Sequence, residues 1–525
     1  MYQTVAKCDK LITMKQSITR ELDAARKYEK RESAAGFERP TFHFSPLIGW
    51  LNDPNGLSYY EGKYHLFYQY HPYSSFWGPM HWGHAVSDDM ISWEYLPAAL
   101  APDMSYDRLG CFSGSALTMD DGSHLLMYTG CADQPEDPTG RSRWCQSQNL
   151  AVKRRGETEY VKYAGNPVIT GDDLPDGADP YEFRDPYLWR TADGAYHALV
   201  ANGVYDETKG TQLCLFKSDD GFDWHFDRIL FEDKRKIGVM WECPNFFPLE
   251  EKHVLIASPM DMQAEEEEAV GSVRFPKGNN VCYILGDAVD GEFIPDTDEK
   301  GKFIYTPVDG GLDFYAPQVM QTPDGRRIMI GWMQDPKTAN HHDDSMRIVG
   351  QMTAPRELRL KDGVLYQWPA AELEAYRKDK VCVRQMPLRD TWTQLPGMNG
   401  RSVDVLAEIA EADRAVGIRF AADTECFTQM IFDPVKSTIT IDRSASGQSE
   451  EITAKRTIKV SDRGGALSLR VLIDRWSAEI FINGGEQVAS LTFYTDFRAQ
   501  DIAFRAEGRA LIKLTKYTIS GQGRE

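Results

Sequence analysis

Residues 53–62 read DPNGLSYYEG and residues 185–194 read DPYLWRTADG. Each starts at Asp-Pro, runs through aromatic or apolar residues and ends on a turn with glycine. Taken alone, Asn52-Asp53-Pro54-Asn55-Gly56 reads as a bend, because proline fixes φ and Asn-Gly accepts positive φ. The 132-residue separation of the two aspartates argues for more than a bend. "SDDMISWEY" from Ser87 and "SDDGFDWHF" from Ser218 lie 131 apart, which matches it.

Three further hairpins share the pattern: "FSGSALTMDDGSHLLMYTG", "ECPNFFPLEEKHVLIASP" and "YAPQVMQTPDGRRIMIGW". Counting back nine residues from the turn positions Gly62, Gly122, Gly194, Glu251 and Gly325 reaches Asp53, Ser113, Asp185, Glu242 and Ala316. The spacings are 60, 72, 57 and 74 residues. A repeat of that size, made of short strands and Asp-Gly or Glu-Gly turns, matches a four-stranded β-propeller blade. The alternative is a run of unrelated hairpins in a β-sandwich or barrel.

In a propeller the innermost strands converge on the central axis. Asp53, Asp185 and Glu242, far apart in sequence, would then share one cavity. Like charges repel and raise a pKa, so a purely structural role does not call for such a cluster. A site that uses one ionised and one protonated carboxyl does. Glycoside hydrolysis works with such a pair. Trp50, Trp77, Trp241 and Tyr315 offer aromatic faces for a sugar ring. Asn52, Gln69, Ser113 and Arg184 offer polar partners for its hydroxyls.

The whole chain has 525 residues and a formal net charge of −20. That charge argues against nucleic-acid and anionic-membrane partners, and a phosphorylated substrate would need a local basic pocket. Nine scattered cysteines without a C-x-x-C pair point to free thiols and a cytoplasmic location. No stretch has signal-peptide or membrane-span character. Residues 17–35 have good helix formers and a glycine stop at Gly36. "PAAELEAYRKD" (369–379) reads as a linker helix. From Lys380 on, alternating strands separated by Gly, Asp and Asn turns read as a β-sandwich. The expectation is an all-β chain: an N-terminal helical extension (1–38), a five-bladed β-propeller (39–365), a linker helix (366–379) and a C-terminal β-sandwich (380–525).

The segments "HFSPLIGWLNDPNG", "YHLFYQYHP", "WGPMHWGHAVSDDMISW", "FSGSA", "QNLAV", "FRDPYLW", "WECPNFF", "DFYAPQ" and "MTAPREL" resemble glycoside hydrolase family 32. They span His43 to Leu358. This family contains invertases, fructanases and sucrose-6-phosphate hydrolases. The resemblance implies a five-bladed propeller followed by a β-sandwich, and a retaining, exo-acting β-fructofuranosidase. It implies Asp53 as nucleophile, Glu242 as acid/base and Asp185 as the carboxylate that steadies the transition state. It also implies a fructose subsite of Asn52, Gln69, Trp77, Phe112, Ser113, Arg184, Tyr315 and Trp332. No cofactor or metal is called for. The expected partner is a small sugar: sucrose, sucrose 6-phosphate or short fructo-oligosaccharides. Self-association is left open. Fructosyl transfer through the same intermediate and a catalytically silent sugar-binding protein are the competing functions.

Other signals are set aside. His81 and His84 in "HWGH" have zinc-like spacing, and residues 340–346 ("NHHDDSM") cluster His and Asp, but neither has companion ligands at a recognised spacing. The acidic run 264–272 reads as a solvated loop near the pocket rim. Cys243 reads as a small buried apolar residue.

Overall fold

The computed structural model describes residues 18–33, 38–133, 144–203, 210–234, 237–334, 339, 342, 346–447 and 453–521. The five hairpins found in the sequence are the inner halves of five antiparallel sheets arranged as propeller blades. Their innermost strands are Gly49–Tyr60, Gly110–Thr118, Phe183–Arg190, Trp241–Leu249 and Tyr315–Gln321. A short strand after the fifth hairpin, Ile348–Val349, pairs in parallel with Gly49 and Trp50 of the first blade. Chain from the fifth blade is thereby hydrogen-bonded to the first, which closes the ring.

Each innermost strand carries a β-bulge at its axial end. The register shifts lie between Leu51 and Pro54, Cys111 and Gly114, Arg184 and Tyr187, Glu242 and Asn245, and Tyr315 and Gln318. In blades three to five the bulge contains a left-handed residue followed by proline: Asp185 (φ 62°), Cys243 (φ 49°) and Ala316 (φ 47°). A bulge re-aims the side chains beside it and ends regular pairing, which suits a rim that must point side chains inward. This geometry corrects the sequence count. Cys243 stands in register with Asp185 and Ala316, while Glu242 stands with Arg184 and Tyr315. The count ran through hairpin turns of different length. Leu249 pairs with Lys252 across two residues, whereas Arg190 pairs with Tyr196 across five.

The C-terminal domain is two six-stranded antiparallel sheets facing each other over an apolar core. The expected boundaries shift slightly. Val364–Pro369 is the outer strand of the fifth blade, so the expected end at 365 falls inside it. The linker is a six-residue 3-10 helix, Ala371–Tyr376, and the first sandwich strand already begins at Arg377. The helix ends where Arg377 turns extended and pairs with Ile519 in the first sandwich strand.

The two domains share a buried seam. Arg356 of the fifth blade donates to Glu479 at 2.6 Å and to Asp309 at 3.0 Å. His43 bridges Asp474 and Glu479 at 3.0 and 2.8 Å. Backbone bonds run from Gly310 to Val488 and from Leu312 to Ser490. A Cβ on Gly311 would meet Ser490 O at 2.0 Å, so only glycine permits this approach.

The helix within 17–35 spans Arg20–Glu32, capped by Thr19, whose hydroxyl accepts from Leu22 N at 3.3 Å. It docks on the first blade, where Arg26 donates to Ala98 O at 2.9 Å and buried Glu29 accepts from Ala98 N at 3.2 Å. Residues 1–17, which include Cys8, lie outside the described residues, as does most of 340–346. The acidic run is not a rim loop. It forms a hairpin, Glu265–Glu267 with Ser272–Phe275, set against the sandwich, with Lys459 at 3.6 Å from Glu267. His84 bonds His65 at 3.0 Å and stacks on Phe67, so this histidine is core. Among the described residues no group of side chains could hold a metal ion. No described helix is long and apolar enough to cross a membrane. All eight described cysteines are free thiols.

Candidate active site

A cavity of about 280 Å³ opens where the innermost strands of blades one to four meet. Its walls include Asn52, Asp53, Gln69, Trp77, Phe112, Ser113, Arg184, Asp185 and Glu242, all foreseen from the sequence. The bulges bring them together. Asn52 and Asp53 belong to the first blade, Phe112 and Ser113 to the second, Arg184 and Asp185 to the third, and Glu242 to the fourth.

Asp53 is held on both carboxylate oxygens. Ser113 Oγ donates to Oδ2 at 2.6 Å, and Asn52 Nδ2 donates to Oδ1 at 3.1 Å. Asn52 is itself oriented by the indole N–H of Trp50 at 2.8 Å. Trp50 is therefore a buried support and not a wall of the cavity. Trp241, 1% exposed, is likewise core. Cys243 sits between the two aspartates, with Sγ 3.6 Å from Asp53 Oδ2 and 3.7 Å from Asp185 Oδ2. Its backbone N–H donates to Asp185 at 3.1 Å. The left-handed bulge conformation aims that N–H, so Cys243 supports the carboxylates as well as filling space.

Glu242 is held from two sides. Arg184 donates to Oε1 through Nε at 3.1 Å and Nη2 at 2.9 Å. Tyr315 Oη donates to Oε2 at 2.6 Å. Arg184, Glu242 and Tyr315 occupy equivalent bulge positions on three successive blades, so their side chains meet laterally. Tyr315 thus touches the site from behind Glu242. Trp332 does not line the cavity; it is buried, paired with Tyr315 across the sheet and edge-on to Trp50 at 6.0 Å.

Three lining residues escaped the sequence reading: Trp144, Gln146 and Glu182. Alternation held a signal for them. Glu182 lies two residues before Arg184, and Trp144 and Gln146 share one face of a single strand, Trp144–Lys153. Glu182 accepts from Arg184 Nη1 at 2.6 Å. One guanidinium is therefore divided between two glutamates.

The electrostatics follow from this count. Four carboxyls share the cavity with a single described cation. Burial, reinforced by the charge of Glu242, pushes Asp53 up to about 6, against the hydrogen bonds from Ser113 and Asn52. Asp185 is also raised, by burial first and then by Glu242, with Arg184 opposing. A half-buried pair of carboxyls on blades one and four, each held by its own donors and with a third carboxyl beside them, is the apparatus of a glycoside hydrolase.

Comparison with known proteins gives the same class. The family model described as "Glycosyl hydrolases family 32 N-terminal domain" matches residues 43–369, and "Glycosyl hydrolases family 32 C terminal" matches 372–520. The chain belongs to glycosyl hydrolase family 32, and it is a glycoside hydrolase. It is 34% identical to a sucrose-6-phosphate hydrolase of Escherichia coli over 89% of this chain and 91% of that protein. It is 32% identical to a raffinose invertase of Escherichia coli, covering 95% and 98% of the two chains. Among solved structures, a Bombyx mori β-fructofuranosidase mutant in complex with sucrose superposes with a TM-score of 0.80 at 28% identity, covering 96% and 99%. A sucrose-6-phosphate hydrolase from Lactobacillus gasseri gives 0.78 at 28%, covering 95% and 96%.

Proposed function

We propose that this chain hydrolyses terminal non-reducing β-D-fructofuranosides by double displacement. The observation that carries the reading is the placement of Asp53 and Glu242 on facing bulges, each with both carboxyl oxygens already engaged by neutral or cationic donors. Asp53, ionised above about pH 6, attacks carbon 2 of the fructosyl unit. Ser113 and Asn52 hold its oxygens so that little reorientation is needed. Glu242 gives its proton to the departing oxygen, then takes one from the incoming water. This route requires the two carboxyl groups to stand about 5–5.5 Å apart, too close for an intervening water. Asp185 accepts from ring hydroxyls and opposes the positive charge of the oxocarbenium-like transition state. Relatives named sucrose-6-phosphate hydrolase, raffinose invertase and levanase support this substrate class. The free thiols support action in a reducing compartment.

The test is the stereochemistry in methanol-containing buffer. The first product seen by NMR is expected to be the β-methyl fructoside. An α-methyl fructoside would exclude Asp53 as nucleophile, and no fructose release at all would return the chain to a sugar-binding role. Product analysis at high sucrose separates hydrolysis from fructosyl transfer. Glu242→Gln is expected to lower kcat on sucrose by about a hundredfold or more, and to spare fructosides whose leaving group needs no proton.

A further inference from the structure

Two asparagines occupy the same place on two of the bulges that carry the site. Asn55 follows Asp53-Pro54, and Asn245 follows Cys243-Pro244. They are 0% and 1% exposed and lie beneath the cavity wall. Each donates through Nδ2 to the carbonyl two residues back, Asn55 to Asp53 O at 3.1 Å and Asn245 to Cys243 O at 3.0 Å. Each accepts through Oδ1 from a backbone N–H of the next blade, Gly114 N at 2.9 Å and Val319 N at 2.8 Å. Asn245 also donates to Pro317 O at 2.8 Å. One amide thus fixes a bulge and straps it to its neighbour, while satisfying backbone groups that ladder pairing leaves over.

The neighbours chosen are those that serve the carboxyls. Gly114 adjoins Ser113, whose hydroxyl donates to Asp53. Pro317 and Val319 share a strand with Tyr315, whose hydroxyl donates to Glu242. Each asparagine therefore joins a carboxyl-bearing bulge to the strand that brings its hydroxyl donor. The fifth blade gives the contrast. Its bulge residue Ala316 bears no carboxyl, and Gln318, which follows the same proline, bonds Leu57 N and Gly114 O instead. On the third blade Asp185 is held by another route: its N–H donates to Thr129 Oγ1 at 3.0 Å, and Ser115 Oγ donates to Pro186 O at 2.8 Å. The clamp on Cys243 has a further consequence. A left-handed residue other than glycine persists only where its surroundings hold it. Released from Asn245, Cys243 would relax towards extended backbone, and the peptide that carries its N–H to Asp185 would turn with it.

We propose that Asn55 and Asn245 are positioning residues for the hydrolytic reaction, each acting through the bulge it clamps: Asn55 sets Asp53 against Ser113, and Asn245 sets Glu242 against Tyr315 and aims the Cys243 N–H at Asp185. This rests on the β-fructofuranosidase reading above. Neither asparagine touches the substrate. Their effect falls on the alignment of nucleophile, acid/base and Asp185, which matters more in the transition state than in ground-state binding.

The test measures kcat and KM on sucrose for Asn55→Ala and Asn245→Ala, well below the Tm of each variant and per folded molecule as judged by near-UV circular dichroism. In both, kcat is expected to fall about 10- to 100-fold while KM stays within about threefold of wild type. In Asn55→Ala the acid limb of kcat/KM should also move to higher pH, because the Ser113 bond that holds the Asp53 carboxyl down is loosened. A merely structural asparagine would lower the Tm and leave kcat and that limb in place. Double-mutant cycles test the route. Asn55→Ala combined with Ser113→Ala, and Asn245→Ala combined with Tyr315→Phe, should each lose about fivefold less than the product of the single losses. Should an alanine variant not fold, Asn55→Ser or Asn245→Ser, which keeps one donor and one acceptor, carries the same comparison. Folded variants with wild-type kcat, or fully multiplicative losses in both cycles, would overturn the proposal. A wild type that releases no fructose from sucrose, sucrose 6-phosphate or kestose would instead sink the underlying β-fructofuranosidase reading.

Discussion

Two of the described carboxyl clusters, in the cavity and at the seam between the domains, are shifted in opposite directions. In the cavity, Asp53 and Asp185 are raised, by burial and by the charge of Glu242. At the seam between the domains, Asp474 and Glu479 are buried more completely, and burial pushes them up too. There the hydrogen bonds and charge of His43, and of Arg356 beside Glu479, win and hold both below the usual carboxylate range. His43 has a carboxylate on each ring nitrogen, so both nitrogens must donate and the ring is an imidazolium. Burial opposes that charge, but the two carboxylates raise its pKa to about 9. The deeper acids are the ones held down, because the seam bonds its cations to Asp474 and Glu479, whereas the cavity's one described cation, Arg184, is bonded to Glu182 and Glu242. The seam uses its charges to fix geometry. The cavity keeps charges under repulsion, where a proton or a covalent bond relieves it.

The contrast can be broken from either side. Asp53→Asn has the largest expected effect. Activity on every fructoside should fall about a thousandfold or more, because the proposed nucleophile is removed. The same variant should be more stable, not less. An acid whose folded pKa is raised to about 6 from 3.8 is penalised once ionised, so removing its charge should add about 1–2 kcal/mol at pH 7, lost hydrogen bonds included. Urea denaturation at pH 7 and at pH 4 checks this; the gain should vanish at the lower pH. A destabilised Asp53→Asn at pH 7 would mean that the cavity is not under strain.

Arg356→Met is the converse experiment. It leaves Glu479 and Asp309 buried without their guanidinium, and about 3–5 kcal/mol of stability should be lost. Chemical denaturation of the full chain measures it, and activity at low denaturant should survive.

Alkaline pH sharpens the seam further. His43 has a raised folded pKa, so its contribution is complete below pH 6.5 and is lost as pH rises through about 9. The loss should amount to about 2–3 kcal/mol. Comparing the Tm of the wild type with that of His43→Gln across pH 6 to 10 isolates it, because the variant lacks this titration.

The smallest effect concerns the cavity on the acid side. On the proposed mechanism Asp53 must be ionised to attack, so kcat/KM on sucrose should fall about tenfold per pH unit below about 6. In Asp53→Glu or any variant that admits water to the cavity, that limb should move to lower pH. A limb already near pH 4 in the wild type would place the burial cost elsewhere.

Much of this was legible in the sequence because it rests on local pattern. Hairpin punctuation and a repeat of about 66 residues gave five blades, and Asp53, Asp185, Glu242, Asn52, Ser113 and Arg184 do meet in one cavity. Alternating strands after the linker gave the sandwich. The phase of Glu242 was not legible, since bulges and turn lengths, which depend on pairing partners, decide which residue of a strand end points inward. Trp50 and Trp241 looked like sugar-facing rings, but sequence does not tell a wall from the layer beneath it. Trp144, Gln146 and Glu182 carried only an alternation signal, because they reach the cavity from another strand or from a strand's approach, outside the repeated motif. His43, Arg356, Asp309, Asp474 and Glu479 lie hundreds of residues apart at the extremes, and no spacing rule pairs them. Sequence by itself determined the elements, the repeat and the types of group available for chemistry, because these depend on neighbours along the chain. Only the tertiary structure decided which carboxyls receive a cation and which do not, because burial and charge pairing are set by what the other blades and the second domain bring alongside.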